Sequence, residues 1–159
     1  ELLPEKYKNC HAIGRLDKDS EGLILLTNDG IFAKTCLQES NPHSRTYKVW
    51  LNAPITDTQL KKLSSPMTLF GKKTKPIQIE KINKQTIKMT LTEGKNRQIR
   101  RLIQKIGLHV TRLKRISFGE ILLNDLKKGD YRSLTKLEIT IEWMETTFVC
   151  YFPQYYFLV

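Results

Sequence analysis

Alternating charges fill the first half of the segment GRLDKDSEGLILLTNDG, which spans residues 14–30. Asp17, Asp19 and Gly22 match positions 1, 3 and 6 of an EF-hand calcium loop. Position 12 is Asn28, whose amide cannot supply the two carboxylate oxygens that this position needs. The flanking pattern also predicts a loop and a strand rather than two helices. We therefore assign no calcium site to this segment.

Asp17 has a second interpretation, as a single carboxylate that does chemistry. It follows Arg15 and precedes the apolar run 23–26, so it is expected on a loop held by a buried strand. Functional groups are commonly placed on such loops. The structural alternative is an aspartate that caps a turn or pairs with Arg15. In the catalytic interpretation, the other charged residues form the solvated rim of the loop: Lys18, Asp19 and Glu21.

Basic residues crowd the start of a second segment, EGKNRQIRR, at residues 93–101. Cations at a helix N-terminus oppose the helix dipole, so their presence indicates an anion that they meet. Arg97, Arg100 and Arg101 are spaced i, i+3, i+4 and are expected to share a face opposite the isoleucines. They suit RNA phosphates, and one could pair with a buried carboxylate. The alternative is a solvated basic face.

The net charge of the chain indicates a polyanionic partner. Its 159 residues include 27 Lys and Arg against 16 Asp and Glu, a net charge of +11. This excess favours nucleic acid first and an anionic membrane surface second, with a merely basic surface as the plain alternative. The length and the hydrophobic content of 40% suit one folded domain.

Cysteine usage predicts a reducing compartment. Cys10, Cys36 and Cys150 form no Cys-x-x-Cys pair and no set with a histidine pair, which favours free thiols and argues against zinc. No leader of charged and then apolar residues is visible, and the longest apolar run is too short to span a bilayer. We expect a cytoplasmic protein that does not enter the membrane.

The hydrophobic pattern predicts the elements that must position these residues. Strands are expected at 10–13, 23–27, 45–51, 76–82, 85–91, 109–115 and 120–123. Helices are expected at 31–38, 56–63 and 96–107, the last capped by Asn96 and ended by Gly107. Residues 66–75 are predicted to form a basic loop around Gly71. This order favours an α+β fold with a mixed, mostly antiparallel sheet and flanking helices.

Four segments together resemble the motifs of one enzyme family. They are GRLDKDSEGLILLTNDG, RTYKV, EGKNRQIRRLIQKIG and VTRLKRISFGEILLNDLKKGDYRSL. In order and spacing they are similar to RsuA-type ribosomal pseudouridine synthases, in particular to the branch that lacks an S4 domain and modifies large-subunit rRNA. The resemblance covers residues 10–134. It implies the pseudouridine synthase catalytic fold, a mixed, bisected sheet flanked by helices with a central cleft.

The resemblance implies roles for individual residues. Asp17 matches the family's essential aspartate, Tyr47 the active-site tyrosine that stacks on the target base, and Arg100 the basic residue that pairs with the aspartate. Three further residues are implied to lie in the same cleft: Arg15, Leu113 and Arg115. The residues expected to bind the RNA are Arg97, Gln98, Arg101 and the lysines Lys72, Lys73 and Lys75.

The implied activity is isomerisation of a specific uridine to pseudouridine in ribosomal RNA, through the active-site aspartate, and the branch that the motifs resemble implies large-subunit (23S) rRNA as the substrate. The reaction involves no redox change and no net hydrolysis, so neither a cofactor nor a metal is implied, and we expect a monomer. The alternative is a non-catalytic RNA-binding or ribosome-assembly module of the same fold. The intact set of Asp17, Tyr47 and Arg100 argues against that alternative, because a pure binder has no need of a carboxylate in a basic cleft.

Two features depart from the family pattern. A strand with a Lys-Pro motif normally precedes the Gly-Arg-Leu-Asp block, and we expect it to be missing from the predicted catalytic domain, residues 1–141. The aromatic-rich tail, residues 142–159, matches no family motif and carries no charge after Glu145. It stays open between a late core strand, a partner-binding segment and a foreign extension.

Overall fold

The computed structural model describes residues 4–38, 43–135 and 138, together with the backbone of residues 147–152. In chain order, the strands are β1 (His11–Ile13), β2 (Glu21–Thr27), β3 (Arg45–Leu51), β4 (Thr68–Leu69), β5 (Lys72–Lys73), β6 (Gln78–Asn83), β7 (Thr86–Leu91), β8 (Val110–Phe118), β9 (Ile121–Leu122), β10 (Tyr131–Ser133) and β11 (Thr147–Phe152). The helices are α1 (Gly30–Leu37), α2 (Asp57–Ser64) and α3 (Gln98–Lys105), and a 3₁₀ turn lies at Glu5–Tyr7.

A mixed sheet organises the described part of the chain. Its spatial order is β10-β11-β2-β8-β3-β7-β6, with β1 beside β2 and β9 beside β8, while β4 and β5 form a separate hairpin. In the described sheet, β2 and β8 pair in parallel and the other pairs are antiparallel. The predicted α+β class with a mixed, mostly antiparallel sheet is confirmed.

One edge of β2 is shared by two different strands. β11 pairs along the other edge, from Gly22 to Thr27. On the shared edge, β8 pairs with Glu21 and Gly22, whereas β1 pairs with residues 25–27. The sheet therefore divides beside β2, and the loop 14–20, which joins β1 to β2, crosses the point of division.

A glycine is required where β2 meets β8. Gly22 has a φ of +114°, a backbone conformation that residues with a side chain rarely adopt. A Cβ atom at this position would lie 2.2 Å from the carbonyl oxygen of Arg115 and 2.6 Å from its nitrogen. The absence of a side chain at Gly22 thus permits the close approach of the two backbones that starts the division of the sheet.

Two hydrophobic cores lie beside this sheet. In the first, α2 and α3 pack on one face of the antiparallel strands; its fully buried members include Val49, Leu63, Ile87, Met89, Leu102 and Ile103. In the second, α1 packs beside β1 and β2; its members include Ile13, Leu23, Leu25, Phe32, Cys36 and Phe118. Each core fixes one wall of the space between β1 and β8.

The helix ends follow two different patterns. Thr56 and Gln59 form a capping box at the start of α2, and the carboxylate of Asp29 accepts backbone hydrogen bonds at the start of α1. The prediction that Asn96 caps the third helix is wrong. Arg97 is the N-cap of α3, in the left-handed conformation with a φ of 49° and without a side-chain cap hydrogen bond. Gly107, with a φ of 80°, follows the C-cap as expected.

Part of the aromatic-rich tail is a strand of the same sheet. β11 pairs with β2 over six residues and with β10 over three. The sequence left three interpretations of the tail open, and for residues 147–152 the structure agrees with the first, a late strand of the sheet. The strand has no regular signal in the sequence because its residues are mostly apolar without alternation, and the rest of residues 142–159 lies outside the described part of the chain.

Candidate active site

A cleft of about 670 Å³ opens where the sheet divides. Its walls come from the loop 14–20, from β3 and β8, and from the segment that leads into α3. Apart from the three lysines, nine residues are predicted to form the site, and the cleft is lined by eight of them: Arg15, Asp17, Tyr47, Arg97, Gln98, Arg100, Leu113 and Arg115. Segments that are far apart in the sequence therefore meet at one place.

Asp17 lies in the middle of the loop, where a tight turn fixes its backbone. The carbonyl oxygen of Asp17 accepts a hydrogen bond from the backbone N–H of Ser20 at 2.8 Å, and the Asp17 side chain is half-buried. Within the described part of the chain, its carboxylate makes no ion pair and no hydrogen bond. The carboxylate thus lies in the cleft, close enough for its charge to act on Arg97 and Arg100 but without a direct contact to either guanidinium in the described part of the chain.

The arginines at the start of α3, Arg97 before it and Arg100 within it, bind Asp19 instead. Arg97 donates two hydrogen bonds to the Asp19 carboxylate, at 2.9 and 2.7 Å, and the Nε of Arg100 lies 3.1 Å from the same group. Arg100 also donates to the backbone carbonyl of Asp19. The predicted pairing of Arg100 with Asp17 is replaced by this contact, because the turn at Asp17 presents the later aspartate to the helix.

These contacts change the proton affinities of the groups involved. The hydrogen bonds from Arg97 lower the pKa of Asp19, against a smaller opposing effect of burial. Burial lowers the pKa of Arg100, while Asp19 and, more weakly, Asp17 act in the opposite direction. Since arginine remains protonated under ordinary conditions, the cleft keeps both guanidinium charges next to the loop.

The expected solvated rim of the loop is wrong for two of its three residues. Asp19 is only partly exposed and anchors the loop to α3, as described above. Glu21 is 5% exposed and forms an ion pair with Arg112 of β8. Both carboxylates are held by arginines that are distant in sequence, which a reading of local charge alternation cannot detect. Lys18 is exposed as predicted.

Tyr47 occupies the floor of the cleft on β3. It lies between Met89 of β7 and Arg115 of β8 in the sheet register, and its side chain is half-buried. A bulge between Thr46 and Tyr47 shifts the register with β8 at this point. The bulge turns the strand locally beside the cleft, as bulges commonly do next to functional sites.

Arg115 is a buried cation in the cleft wall. It is 2% exposed, and its Nε donates a hydrogen bond to the carbonyl oxygen of Leu23 at 2.7 Å. Its Nη2 is buried with no hydrogen-bond partner among the described residues, as is the hydroxyl of Ser20, another cleft residue. Buried polar groups of this kind usually have a protein, water or ligand partner. These two groups are placed where a polar molecule bound in the cleft could accept a hydrogen bond from them.

A hydrogen-bonded network supports the start of α3. The amide nitrogen of Gln98 donates to Glu93 at 2.6 Å, and its oxygen accepts from the backbone N–H of Lys95 at 3.0 Å. The ammonium of Lys95 donates to the carbonyl oxygen of Lys73 at 3.0 Å. Gln98 is buried, so its role here is to hold the segment before α3, and an exposed binding role is not supported.

Sequence reasoning missed several residues that line the cleft. Arg45 and Phe118 lie together at one end, with the Arg45 guanidinium 4.9 Å from the ring centre. Burial lowers the pKa of Arg45, and its neighbour Arg115 acts in the same direction. Arg45 lies two residues before Tyr47 on an alternating strand, so the two side chains are expected on the same face, and this spacing is the signal in the sequence that could have found Arg45.

Arg101 is the predicted site residue that lies outside the cleft. Its guanidinium is 4.6 Å from the ring centre of Phe70, an exposed residue of the β4–β5 hairpin. Arg97 precedes α3 and takes the left-handed conformation, so the three arginines do not share one helical face. Of the three predicted lysines, Lys75 lines the cleft, while Lys72 and Lys73 are exposed on the hairpin.

The described residues contain no group of three or more His, Cys, Asp or Glu side chains placed to hold a metal ion. Their helices are also all too short or too polar to cross a membrane.

A sequence profile described as RNA pseudouridylate synthase matches residues 1–105 of the chain. The chain belongs to this family. Its RsuA-type character follows from its relatives. A dual-specificity RNA pseudouridine synthase, RluF, of Salmonella typhi is 37% identical over 132 residues, covering 83% of this chain and 46% of the relative. Ribosomal small subunit pseudouridine synthase A of Yersinia pestis is 37% identical over 139 residues, covering 86% of this chain and 59% of the relative.

Two solved structures share the fold of this chain. A crystal structure titled as a pseudouridylate synthase aligns with a TM-score of 0.82 and 30% identity, covering 87% of this chain and 62% of that chain. A structure of the archaeal box H/ACA sRNP Nop10-Cbf5 complex aligns with a TM-score of 0.52 at 18% identity, which supports the fold alone. The chain spans about half the length of the curated family members that it matches.

Proposed function

We propose that this protein isomerises a uridine of ribosomal RNA to pseudouridine, with Asp17 as the catalytic carboxylate. The observation that carries the proposal is that Asp17 and Asp19, two residues apart in one loop, have different contacts. Asp19 engages Arg97 and Arg100, while Asp17, two residues earlier, keeps its carboxylate without an ion pair within the described cleft. A carboxylate that lies in an arginine-lined cleft without being tied up in a direct ion pair suits chemistry better than support of the fold.

The reaction needs a carboxylate but no external reactant. The N1–C1′ bond of uridine breaks, uracil turns within the cleft, and its C5 forms a bond to C1′. The proton on C5 is then lost and N1 gains a proton, so atoms and charge balance without redox change. Asp17 has two routes in this scheme: attack as a nucleophile, or stabilisation of the positive charge that develops at C1′.

Other cleft residues have roles that suit this chemistry. The Tyr47 ring offers a flat face to the base, and its hydroxyl is suited to moving a proton late in the reaction. The unused donor of Arg115 is buried in the wall and can meet a carbonyl oxygen of uracil or a phosphate. The target uridine has to leave its stack to reach Asp17, as base-modifying enzymes generally require.

The substrate class rests on two lines of support. The net charge of +11 suits a nucleic acid, and the names of two relatives refer to RNA and to the small ribosomal subunit. We propose large-subunit rRNA as the substrate because the sequence motifs resemble the family branch that modifies it. We further propose that the protein acts as a monomer in the cytoplasm, without a metal or a cofactor.

The test is to incubate the protein with unmodified large- and small-subunit rRNA and to map pseudouridine by carbodiimide-dependent stops in primer extension. Asp17→Asn should abolish the stops while RNA binding stays nearly unchanged. Asp125→Asn, at an exposed position away from the cleft, is the matched control and should keep full activity. Identical maps from wild type and Asp17→Asn would leave the non-catalytic RNA-binding module as the better description.

A further inference from the structure

An aromatic side chain stands at the tip of the β4–β5 hairpin. Leu69 of β4 pairs in register with Lys72 of β5, so the turn between them consists of two residues, Phe70 and Gly71. Leu69 is buried and anchors the hairpin in the core, whereas Phe70 is 61% exposed. A single exposed apolar residue is common in proteins, so its exposure alone does not indicate a function.

The backbone conformation of Phe70 is unfavourable for this residue type. Phe70 has a φ of 54° and Gly71 a φ of +74°. Two-residue turns with positive φ at both positions favour Asn-Gly or Asp-Gly, because a bulky side chain rarely adopts the left-handed region. Of the described residues, the only other bulky one with a positive φ is Arg97, which lines the cleft. Residues strained in this way cluster at functional sites, so a phenylalanine here indicates a role beyond forming the turn.

A basic side chain of α3 covers part of the Phe70 ring. The Arg101 guanidinium lies 4.6 Å from the ring centre. A shallow depression of about 280 Å³ lies between the hairpin and the helix, lined by Thr68, Leu69, Phe70, Arg101, Gln104 and Lys105. This volume is just below the range of about 300–1,000 Å³ that is usual for small-molecule pockets, so it suits one flat ring better than a larger ligand. An aromatic ring and a guanidinium plane are the two kinds of surface on which unpaired nucleobases stack.

The surroundings of the depression are positively charged. Neither the segment 66–75 nor α3 contains an aspartate or a glutamate. The carboxylate that reaches the base of the hairpin, Glu93, pairs with Lys95 at 3.6 Å. Three exposed lysines of the hairpin and the helix form no ion pair within the part of the chain that the structure describes: Lys72, Lys73 and Lys105. Their ammonium groups are therefore available to the phosphates of a nucleic acid.

Hydrogen bonds connect this surface to the cleft. The Nε of Arg101 donates to the backbone carbonyl oxygen of Asn96 at 3.2 Å, and its Nη2 donates to the side-chain oxygen of Asn96 at 3.4 Å. Asn96 and Lys95 both line the cleft, and the Lys95 ammonium donates to the carbonyl oxygen of Lys73 at 3.0 Å. The guanidinium against Phe70 is therefore one hydrogen bond away from the cleft wall. An RNA strand that leaves the cleft past Asn96 meets the hairpin next.

We propose that Phe70 and Arg101 form a stacking platform for an unpaired base of the rRNA substrate, outside the cleft that takes the target uridine. The base lies in the depression against the ring and the guanidinium, and the exposed lysines meet the phosphates on either side of it. Every base has a flat π face, so the platform selects an unpaired nucleotide rather than a particular sequence. An apolar segment of a protein partner is less favoured, because the ring stands among cations.

This inference rests on the proposed function for the identity of its partner. It adds a requirement on the substrate, namely that the target uridine has an unpaired neighbour within reach of the hairpin. When all the flanking nucleotides are paired, the platform stays empty and the RNA binds more weakly. Phe70 thus contributes to the choice of substrate and takes no part in the chemical step.

The experiment compares Phe70→Asn and Phe70→Trp with Ile31→Asn, which removes an apolar side chain that is 80% exposed on α1. Fluorescence anisotropy measures affinity for the shortest rRNA fragment that wild type modifies or, if it modifies none, for single-stranded oligouridylate. All proteins compared carry Asp17→Asn to prevent turnover. Phe70→Asn should weaken binding about tenfold without changing the salt slope, since no phosphate contact is lost. Phe70→Trp and Ile31→Asn should bind within about twofold of the protein that keeps both residues.

An abasic scan of the RNA locates the stacked base. The nucleotides that flank the target uridine are replaced one at a time by abasic ones; for oligouridylate, a fully abasic chain is used. At one position the replacement should weaken binding about tenfold when Phe70 is present, but about twofold or less in Phe70→Asn, because the stacking partner is already missing. A purely structural role of Phe70 does not produce this coupling to a single nucleotide.

Thermal unfolding separates stacking from support of the fold. Asparagine suits the left-handed position of this turn better than phenylalanine, so the unfolding midpoint of Phe70→Asn should equal or exceed that of wild type. Weaker RNA binding by a variant that is no less stable excludes misfolding as the cause. Should Phe70→Asn fail to fold, Phe70→Leu carries the test: it keeps the apolar bulk but has no flat face, and should bind about tenfold more weakly.

Three results overturn the inference. One is unchanged RNA affinity in Phe70→Asn. Another is weaker binding with a lower unfolding midpoint and no coupling to any abasic position, which would make Phe70 a structural residue. The third is self-association of wild type that Phe70→Asn abolishes without loss of RNA affinity, which would assign the ring to a protein interface. Failure of the proposed function is seen separately: wild type would form no pseudouridine, while the oligouridylate measurements would still decide the role of Phe70.

Discussion

The Arg97 guanidinium donates two parallel hydrogen bonds, of 2.9 and 2.7 Å, to the carboxylate of Asp19, which lies 78 residues earlier in the sequence. Paired contacts of this kind fix the angle between the two groups as well as their distance. Because Asp19 lies in the same loop as Asp17, the contact sets where the Asp17 carboxylate stands relative to α3. Arg100 reinforces it through the same carboxylate at 3.1 Å and through the backbone of Asp19.

Asp19→Asn is predicted to impair the chemical step more than binding. The amide cannot hold two guanidinium groups, so Asp17 loses its fixed position; kcat should fall about 10- to 100-fold with a smaller change in KM. Single-turnover kinetics with saturating enzyme measures this directly. Rescue by Asp19→Glu to more than a tenth of wild-type rate would fit a positioning role. An unchanged kcat in Asp19→Asn would show that the loop is held by other contacts.

The same variant makes a prediction about acid stability. The folded-state pKa of Asp19 lies below its usual value of 3.8, chiefly because of the hydrogen bonds from Arg97. A lowered pKa adds stability above the unfolded pKa, and this contribution disappears as the pH falls through the folded value. Wild type should therefore exceed Asp19→Asn in unfolding free energy at pH 7, by about 1 kcal/mol for a partly exposed pair. The difference should shrink below about pH 4 in urea titrations.

Gly22→Ala should destabilise the protein far more than an equivalent change elsewhere. The added methyl group meets the Arg115 backbone at 2.2 Å and the residue must keep a φ of +114°. We expect a loss of roughly 3 kcal/mol or more in unfolding free energy. Gly71→Ala is the matched control, because Gly71 also has a positive φ, of +74°, but open space around it. It should cost about 1 kcal/mol. Equal losses would mean that strain, and not the contact of β2 with β8, decides the result.

Substitutions of Tyr47 should separate its ring from its hydroxyl. Tyr47→Phe keeps a flat face for the base, so RNA affinity should hold while kcat falls if the hydroxyl moves a proton. Tyr47→Leu removes the aromatic face, and loss of stacking should weaken binding by about 1–3 kcal/mol. Affinity is measured with the inactive Asp17→Asn background to prevent turnover. Equal affinity in all three proteins would exclude Tyr47 as the stacking platform.

Much of the fold was predictable because its signals are local. β3 has the predicted bounds, since Arg45–Leu51 alternates and is rich in β-forming residues. α2 begins one residue after the predicted start, because Thr56 is its N-cap. The strand β11 was not predicted as such, since its apolar residues show no period. Its pairing with β2 depends on a surface formed by other parts of the chain.

The sequence predicted which residues form the candidate site, but it did not predict which of them contact one another. Family motifs and residue types brought Asp17, Tyr47 and Arg115 into one cleft, as the structure has them. They did not indicate which aspartate the arginines bind, because that choice depends on the turn at residues 17–20 and on the left-handed residue before α3. The burial of Glu21 against Arg112 was missed for the same reason.

The loop that carries Asp17 is held at both ends by main-chain pairing, β1 with β2 before it and β2 with β8 after it. Its centre is held to α3 through Asp19. A loop restrained at three points loses little conformational entropy when RNA binds. The ordering cost of forming the reactive complex then falls almost wholly on the RNA, whose uridine must unstack and turn outward. A uridine that is already unpaired or loosely stacked should therefore be modified in preference to one in a regular helix.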